Sequence, residues 1–158
     1  MRIRSYEAGD APALACLFYE TIHAVNQADY SPEQLRAWAP EVPDPEAWHA
    51  RMSSRCTLVA EEDGAAVGFA ELERDGHLDM LYVRKDAVGR VVGSRLYQVV
   101  EQIAWERGLG RIFTEASITA RPFFERQGFR VVVVGEQAVA LRDARLTNFA
   151  MEKSLRRR

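Results

Sequence analysis

The sequence predicts a mixed α/β domain: a largely antiparallel central sheet of about six to seven strands, with one parallel pair, flanked by helices. Three observations lead there. Apolar residues recur at helical spacing through the first third, behind repeated starts in which a capping residue precedes proline. From Thr57 the apolar period shortens to two residues and tight Asp-Gly turns appear. A glycine-bearing loop then opens onto a long amphipathic helix that leads to a further strand.

Taken in order, Ile3 to Tyr6 reads as an opening strand, and Ala8-Gly9-Asp10 as the turn and cap of a helix beginning near Ala11-Pro12. Leu14, Leu17, Phe18, Ile22 and Val25 give that helix its inner face. Ser31-Pro32-Glu33 starts a short helix through Leu35 and Trp38, closed by Pro40, and Asp44-Pro45-Glu46 starts another ahead of Trp48 and Met52. Thr57 to Ala60, Ala66 to Leu72 and His77 to Val83 form an antiparallel meander turning at Asp63-Gly64 and Asp75-Gly76. A helix from about Gly93 to Arg107 buries Leu96, Val99, Val100 and Ile103 and stops at Gly108. This crossover should lay Arg111 to Ala116 parallel to the His77–Val83 strand. Pro122 opens a short helix ended by Gly128, and Phe129 to Val134 and Leu146 to Met151 are the closing strands. With no linker or repeat, residues 1–158 read as a single domain.

At 158 residues, 47% hydrophobic, with a formal net charge of −2, the chain carries no basic field suited to nucleic acid. Arg156-Arg157-Arg158 reads as a solvated tail. No apolar run approaches the ~18 residues of a membrane span, and the N-terminus lacks a secretion signal's apolar core. A cytoplasmic location is expected. Cys16 and Cys56 are far apart and expected to be buried thiols; with His23, His49 and His77 equally scattered, no metal site is expected.

The most informative stretch runs from Leu81 to Leu96: a strand end, a loop with Gly89 and Gly93, then a helix. Free backbone N–H groups at such a junction, with the positive end of the helix dipole, favour a phosphate or pyrophosphate. Neither G-x-G-x-x-G nor G-K-[ST] is present, so dinucleotide-fold and P-loop readings fail.

Three segments carry a resemblance over essentially the whole chain. They are Asp79-Met80-Leu81-Tyr82-Val83, Val88-Gly89-Arg90-Val91-Val92-Gly93 in the place of a Q/R-x-x-G-x-G/A pattern, and Ala120-Arg121-Pro122-Phe123-Phe124-Glu125-Arg126-Gln127-Gly128-Phe129, similar to A-x-x-F-Y-E-x-x-G-F. In order and spacing they resemble the GNAT superfamily of acetyl-CoA-dependent N-acetyltransferases. The Ser31–Pro40 stretch and Thr147-Asn148-Phe149 further resemble a bacterial branch of it. The resemblance implies a GNAT fold in which the parallel pair splays into a cleft. It implies acetyl-CoA as acyl donor, with Leu81, Tyr82 and Val83 beside the pantetheine arm, Val88, Gly89, Arg90, Val91, Val92, Gly93 and Ser94 around the pyrophosphate, and Ser117, Phe123 and Phe124 completing the cofactor set. The acceptor would be a primary amine of a small molecule or peptide. The alternative is a non-catalytic acyl-CoA-binding or sensor domain of the same fold.

Two motif positions depart from the pattern. Val88 stands for Gln or Arg, and Val91 for the first motif glycine, so binding requires ordinary φ and ψ at position 91, with Gly89 supplying the unusual conformation. Phe124 occupies the place of the family's tyrosine acid and has no proton to give. His77 and Asp79, two apart on one strand and so expected on the face shared by Leu81, are the candidates for the base. Tyr30, in the loop between the first two helices, is a third candidate, facing the acceptor. Trp38 and Trp48 read as core or rim aromatics. The acceptor's identity, the acyl-chain preference and the oligomeric state, a homodimer among the options, are left open.

Overall fold

The computed structural model describes residues 1–133, 137–142 and 144–156. Val134, Arg157 and Arg158, which the sequence reading assigned to a strand end and to the basic tail, lie outside the described residues. The elements run β1 (Arg2–Ser5), α1 (Ala11–Val25), α2 (Pro32–Trp38), α3 (Pro45–Ser53), β2 (Cys56–Glu62), β3 (Ala65–Leu72), β4 (Leu78–Val83), α4 (Val92–Glu106), β5 (Arg111–Ser117), α5 (Arg121–Arg126), β6 (Arg130–Val131), β7 (Gln137–Leu141) and β8 (Ala144–Ser154). Two of the three local start signals are used as expected: the Ser31 and Asp44 side chains accept hydrogen bonds from Gln34 N and Ala47 N, whereas the Asp10 carboxylate does not cap α1 but accepts from Glu7 N and Arg4 instead. Asp63 and Gly64 both have positive φ, the geometry of a tight hairpin turn.

The strands form two four-stranded sheets, β1-β2-β3-β4 and β5-β8-β6 with β7 also on β8, in place of the single sheet of six to seven expected. The first is antiparallel throughout and covered on both faces. Leu58, Ala60, Ala70 and Leu72 pack under Leu96, Val100 and Ala104 of α4. Val59 and Phe69, alternate residues of the same strands, pack against Leu14, Trp48 and Met52 of α1 and α3. On α1 the buried positions include Leu14, Ala15 and Leu17; Cys16 is turned to the outer face and is exposed, and Cys56 is only partly covered, which corrects the expectation of two buried thiols.

The two sheets meet at one point. β4 and β5, expected to lie parallel along their length, are joined among the described residues by a single parallel bridge, from His77 just before β4 to Phe113. Phe113 N donates to Gly76 O at 3.1 Å and Thr114 Oγ1 to Leu78 O at 2.8 Å, fixing the junction from both sides. Gly76 is placed there by necessity: its φ is +97° and an added Cβ would lie 2.5 Å from the Arg111 carbonyl oxygen. Gly76→Ala is therefore expected to destabilise the protein by about 2–4 kcal/mol, combining backbone strain with overpacking. Gly64→Ala, at φ +77° with open space around it, should lose only about 1 kcal/mol; urea unfolding of the two variants measures the difference.

Candidate active site

Beyond the bridge each strand follows its own sheet: β4 pairs with β3, and β5 with β8. The outer edge of β4 is left facing a cleft of about 540 Å³, walled by Leu81, Tyr82 and Val83 on one side and by Thr114 to Ser117 on the other. The register of β4 breaks here. Glu71 pairs with Met80 and Leu72 with Leu78, so Asp79 is the extra residue of a bulge. The bulge corrects the expectation that Asp79 shares a face with Leu81. Leu78, Leu81 and Val83 pack into the core under α4, whereas Asp79 reaches toward the arginines at the end of α3.

The far end of the cleft is closed by the glycine loop and the start of α4. Gly89 has φ +84° with nothing within 4 Å of where a Cβ would stand. Val91 has φ −75° and ψ 2°, which any L-residue adopts, so the loop meets the condition its valine imposed. No side chain caps α4, leaving its first N–H groups toward the cleft. Gly93 is confined by Phe123, whose ring lies 3.3 Å from an added Cβ. Val88, Gly89, Arg90, Val91, Gly93 and Ser94 all line the cleft. Val92 does not: its side chain is fully buried in the core, so only its backbone is at the loop. Phe124 lines the inner wall and packs edge-on against Phe123 and Phe129, a hydrocarbon surface where the family pattern has a hydroxyl.

The mouth near the bridge is strongly ionic. Glu71, 0% exposed, pairs with both Arg51 and Arg55, and the same two guanidinium groups hold Asp79, Arg55 at 3.0 Å. His77 is engaged on both ring nitrogens, Nδ1 with Glu73 at 2.8 Å and Nε2 with Glu115 at 2.7 Å, and stacks on Phe113. Asp79 and Glu115 line the cleft; His77 lies one shell behind them. Glu73, His77 and Asp79 bring ligand-type atoms within 4.8 Å of one another, but Arg55 already stands 3.6 Å from Glu73 and supplies the positive charge.

Burial alone would depress the His77 pKa, but its hydrogen bonds to Glu73 and Glu115 and the charges of Glu115 and Asp79 outweigh it, and the net shift is upward from 6.5. The imidazolium's contribution to stability is thus complete below the ordinary value and lost as pH climbs through the raised one. Urea midpoints should fall as the pH is raised above the ordinary 6.5 and through the raised folded-state titration, and His77→Gln should remove that part of the slope.

Tyr30 is displaced from the acceptor role. Its hydroxyl donates to Thr147 O at 2.6 Å and accepts from Ile118 N at 2.9 Å, and the side chain is buried against Trp38 rather than lining the cleft. Tyr82 stacks on Phe69 beneath the cleft, and burial pushes its pKa up. Trp38 lines the cleft, while Trp48 is core. The residues missed in the sequence are Arg51, Arg55, Glu71 and Glu115. One signal was present: a lone glutamate inside the apolar run Val67 to Leu72 demands a buried partner.

A family model described as an acetyltransferase (GNAT) domain matches residues 26–155. The chain is 34% identical over 151 residues to the uncharacterised N-acetyltransferase YafP of Escherichia coli (strain K12), covering 96% of this chain and 94% of that one. Its fold is similar to the crystal structure of a GCN5-related N-acetyltransferase from Rhodopseudomonas palustris, with a TM-score of 0.91 and 38% identity over 98% of this chain and 95% of that one. It is also similar in fold to the PaiA N-acetyltransferase of Thermoplasma acidophilum, solved with coenzyme A, at a TM-score of 0.78 and 22% identity over 97% and 98% of the two chains. With a matching domain model over most of its length and a relative of this identity, the chain belongs to the GNAT family of N-acetyltransferases.

Proposed function

We propose that the protein transfers an acetyl group from acetyl-CoA to a primary amine of a small molecule or peptide, by direct attack within a ternary complex. The observation that carries this reading is the pairing of an unoccupied β4 edge with an uncapped α4 N-terminus along one cleft. The edge suits an extended pantetheine arm, which would lie along it as an added strand. The N–H groups from Gly89 to Ser94 suit a diphosphate. The PaiA relative, with its bound coenzyme A, supports the same choice of donor.

Neither Cys16 nor Cys56 lines the cleft, which favours direct attack over an acetylated enzyme. Holding amine and thioester in line supplies up to about 7–11 kcal/mol of the barrier reduction. A backbone N–H near Leu81 is the donor best suited to the developing oxyanion. Asp79 is tied to both Arg51 and Arg55. We read Asp79 as the anchor of the bulge.

The test is calorimetric titration with acetyl-CoA followed by a primary-amine panel with detection of released thiol. Micromolar binding and amine-dependent thiol release, with intersecting initial-velocity lines, are expected. Binding without release for any amine would identify an acyl-CoA sensor instead.

A further inference from the structure

Glu115 stands apart from the other carboxylates at the cleft. It projects from β5 on the exposed side of the alternation that buries Ile112, Thr114 and Ala116, and its side chain is 48% exposed. Its described partner is His77, through Nε2 at 2.7 Å, and the opposite ring nitrogen meets Glu73 at 2.8 Å. Glu73 is partly exposed on the outside of the β3–β4 turn. The three side chains form a continuous hydrogen-bonded line from the cleft to the outer surface.

Resting on the acetyl-transfer reading, we propose that Glu115 accepts the proton of the incoming ammonium and that His77 passes it to Glu73 and solvent. Glu115 is the catalytic base and His77 a positioning and relay residue. The ammonium gives one proton to the Glu115 carboxylate, and its nitrogen lone pair forms the C–N bond. As the C–S bond breaks, the departing sulfur carries the electron pair and takes up the second proton lost by nitrogen. One proton leaves in net, through the imidazole: Nε2 receives it from Glu115 while Nδ1–H gives its own to Glu73. The groups facing His77 are Glu73 and Asp75 in the turn, Asp79 on β4 at 4.0 Å and Glu115 on β5; Arg55 stands 3.6 Å from Glu73, and Arg111 lies over the Phe113 ring on which His77 stacks.

The test pairs kinetics with spectroscopy. Glu115→Gln should lower kcat by about 10²–10⁴-fold while acetyl-CoA affinity, read by calorimetry, stays within about twofold. In the wild type kcat should rise with pH along a titration that follows the His77 imidazole resonances, and in His77→Gln that limb should vanish. Independently of any acceptor, the His77 titration midpoint measured by NMR should fall in Glu115→Gln and in Glu73→Gln. Normal kcat in Glu115→Gln, or a His77 midpoint indifferent to it, overturns the relay and leaves acetyl transfer standing. A wild type that binds acetyl-CoA, acetylates no amine and still shows the coupled midpoint overturns the transfer reading, and the catalytic assignment of Glu115 with it.

Discussion

Gly89→Glu is expected to lower acetyl-CoA affinity by at least about a hundredfold, since like charges brought together at a binding surface cost several kcal/mol. The position is open, with no atom within 4 Å of the would-be Cβ, so the side chain has room but stands where the diphosphate should lie. Backbone strain adds a second, smaller penalty because φ is +84°. The two effects are separable. Gly64→Glu places the same side chain at φ +77°, again in open space, on the β2–β3 turn and outside the cleft lining. Both variants should lose similar thermal stability, about 1–3 kcal/mol at most, and only Gly89→Glu should lose the cofactor. Equal acetyl-CoA affinity in the two, measured by calorimetry, would remove the glycine loop from the cofactor site.

What the sequence made legible was local. The Ser31 and Asp44 caps, the Asp63-Gly64 turn and the stops at Gly108 and Gly128 each depend on residues within a few positions, and all appear where read. The glycine loop was legible for the same reason, down to the ordinary conformation required of Val91. Features set by distant partners were hidden. Tyr30 was correctly placed in its loop, but its fate is decided by Ile118 and Thr147, 88 and 117 residues away. His77 and Asp79 were put on one face because strand alternation is the rule. The bulge at Asp79 breaks that rule, and a bulge is visible only once β3 is laid beside β4. Glu115 was unremarked because only the junction of the two sheets brings β5 against His77. The strand β7 was not anticipated: Gln137 to Leu141 is short, weakly patterned and defined by its pairing with β8.

Removing the Glu71 carboxylate should have the largest effect on stability. Glu71 sits at 0% exposure on the face of β3 that meets α3, and Arg51 and Arg55 converge on it. Burial raises Arg55's need for a partner, and the Glu71 hydrogen bond holds the Arg55 pKa above its ordinary value. Breaking a buried pair from one side typically costs about 3–5 kcal/mol; Asp79 and Glu73 stay beside the arginines at the partly exposed rim, but the buried ends of both guanidinium groups lose their acceptor. Glu71→Ala should therefore shift the urea midpoint down by about 2 M, taking a slope near 2 kcal/mol per M. Glu71→Gln, which keeps an acceptor of the same shape, should lose less. Replacing the buried carboxylate and both its partners, as Glu71→Leu with Arg51→Met and Arg55→Met, leaves no buried charge unpaired and should recover part of the loss, because apolar isosteres of a buried ion cluster are often neutral or stabilising, while the partly exposed Glu73 and Asp79 lose their arginines. Asp79 keeps neither arginine in that triple variant, so the β4 bulge loses its anchor while the core is repaired. Stability should return in part, without full turnover. Recovery of both together would detach the bulge anchor from the chemistry, and a loss below about 1 kcal/mol in Glu71→Ala would mean that water already compensates both guanidinium groups.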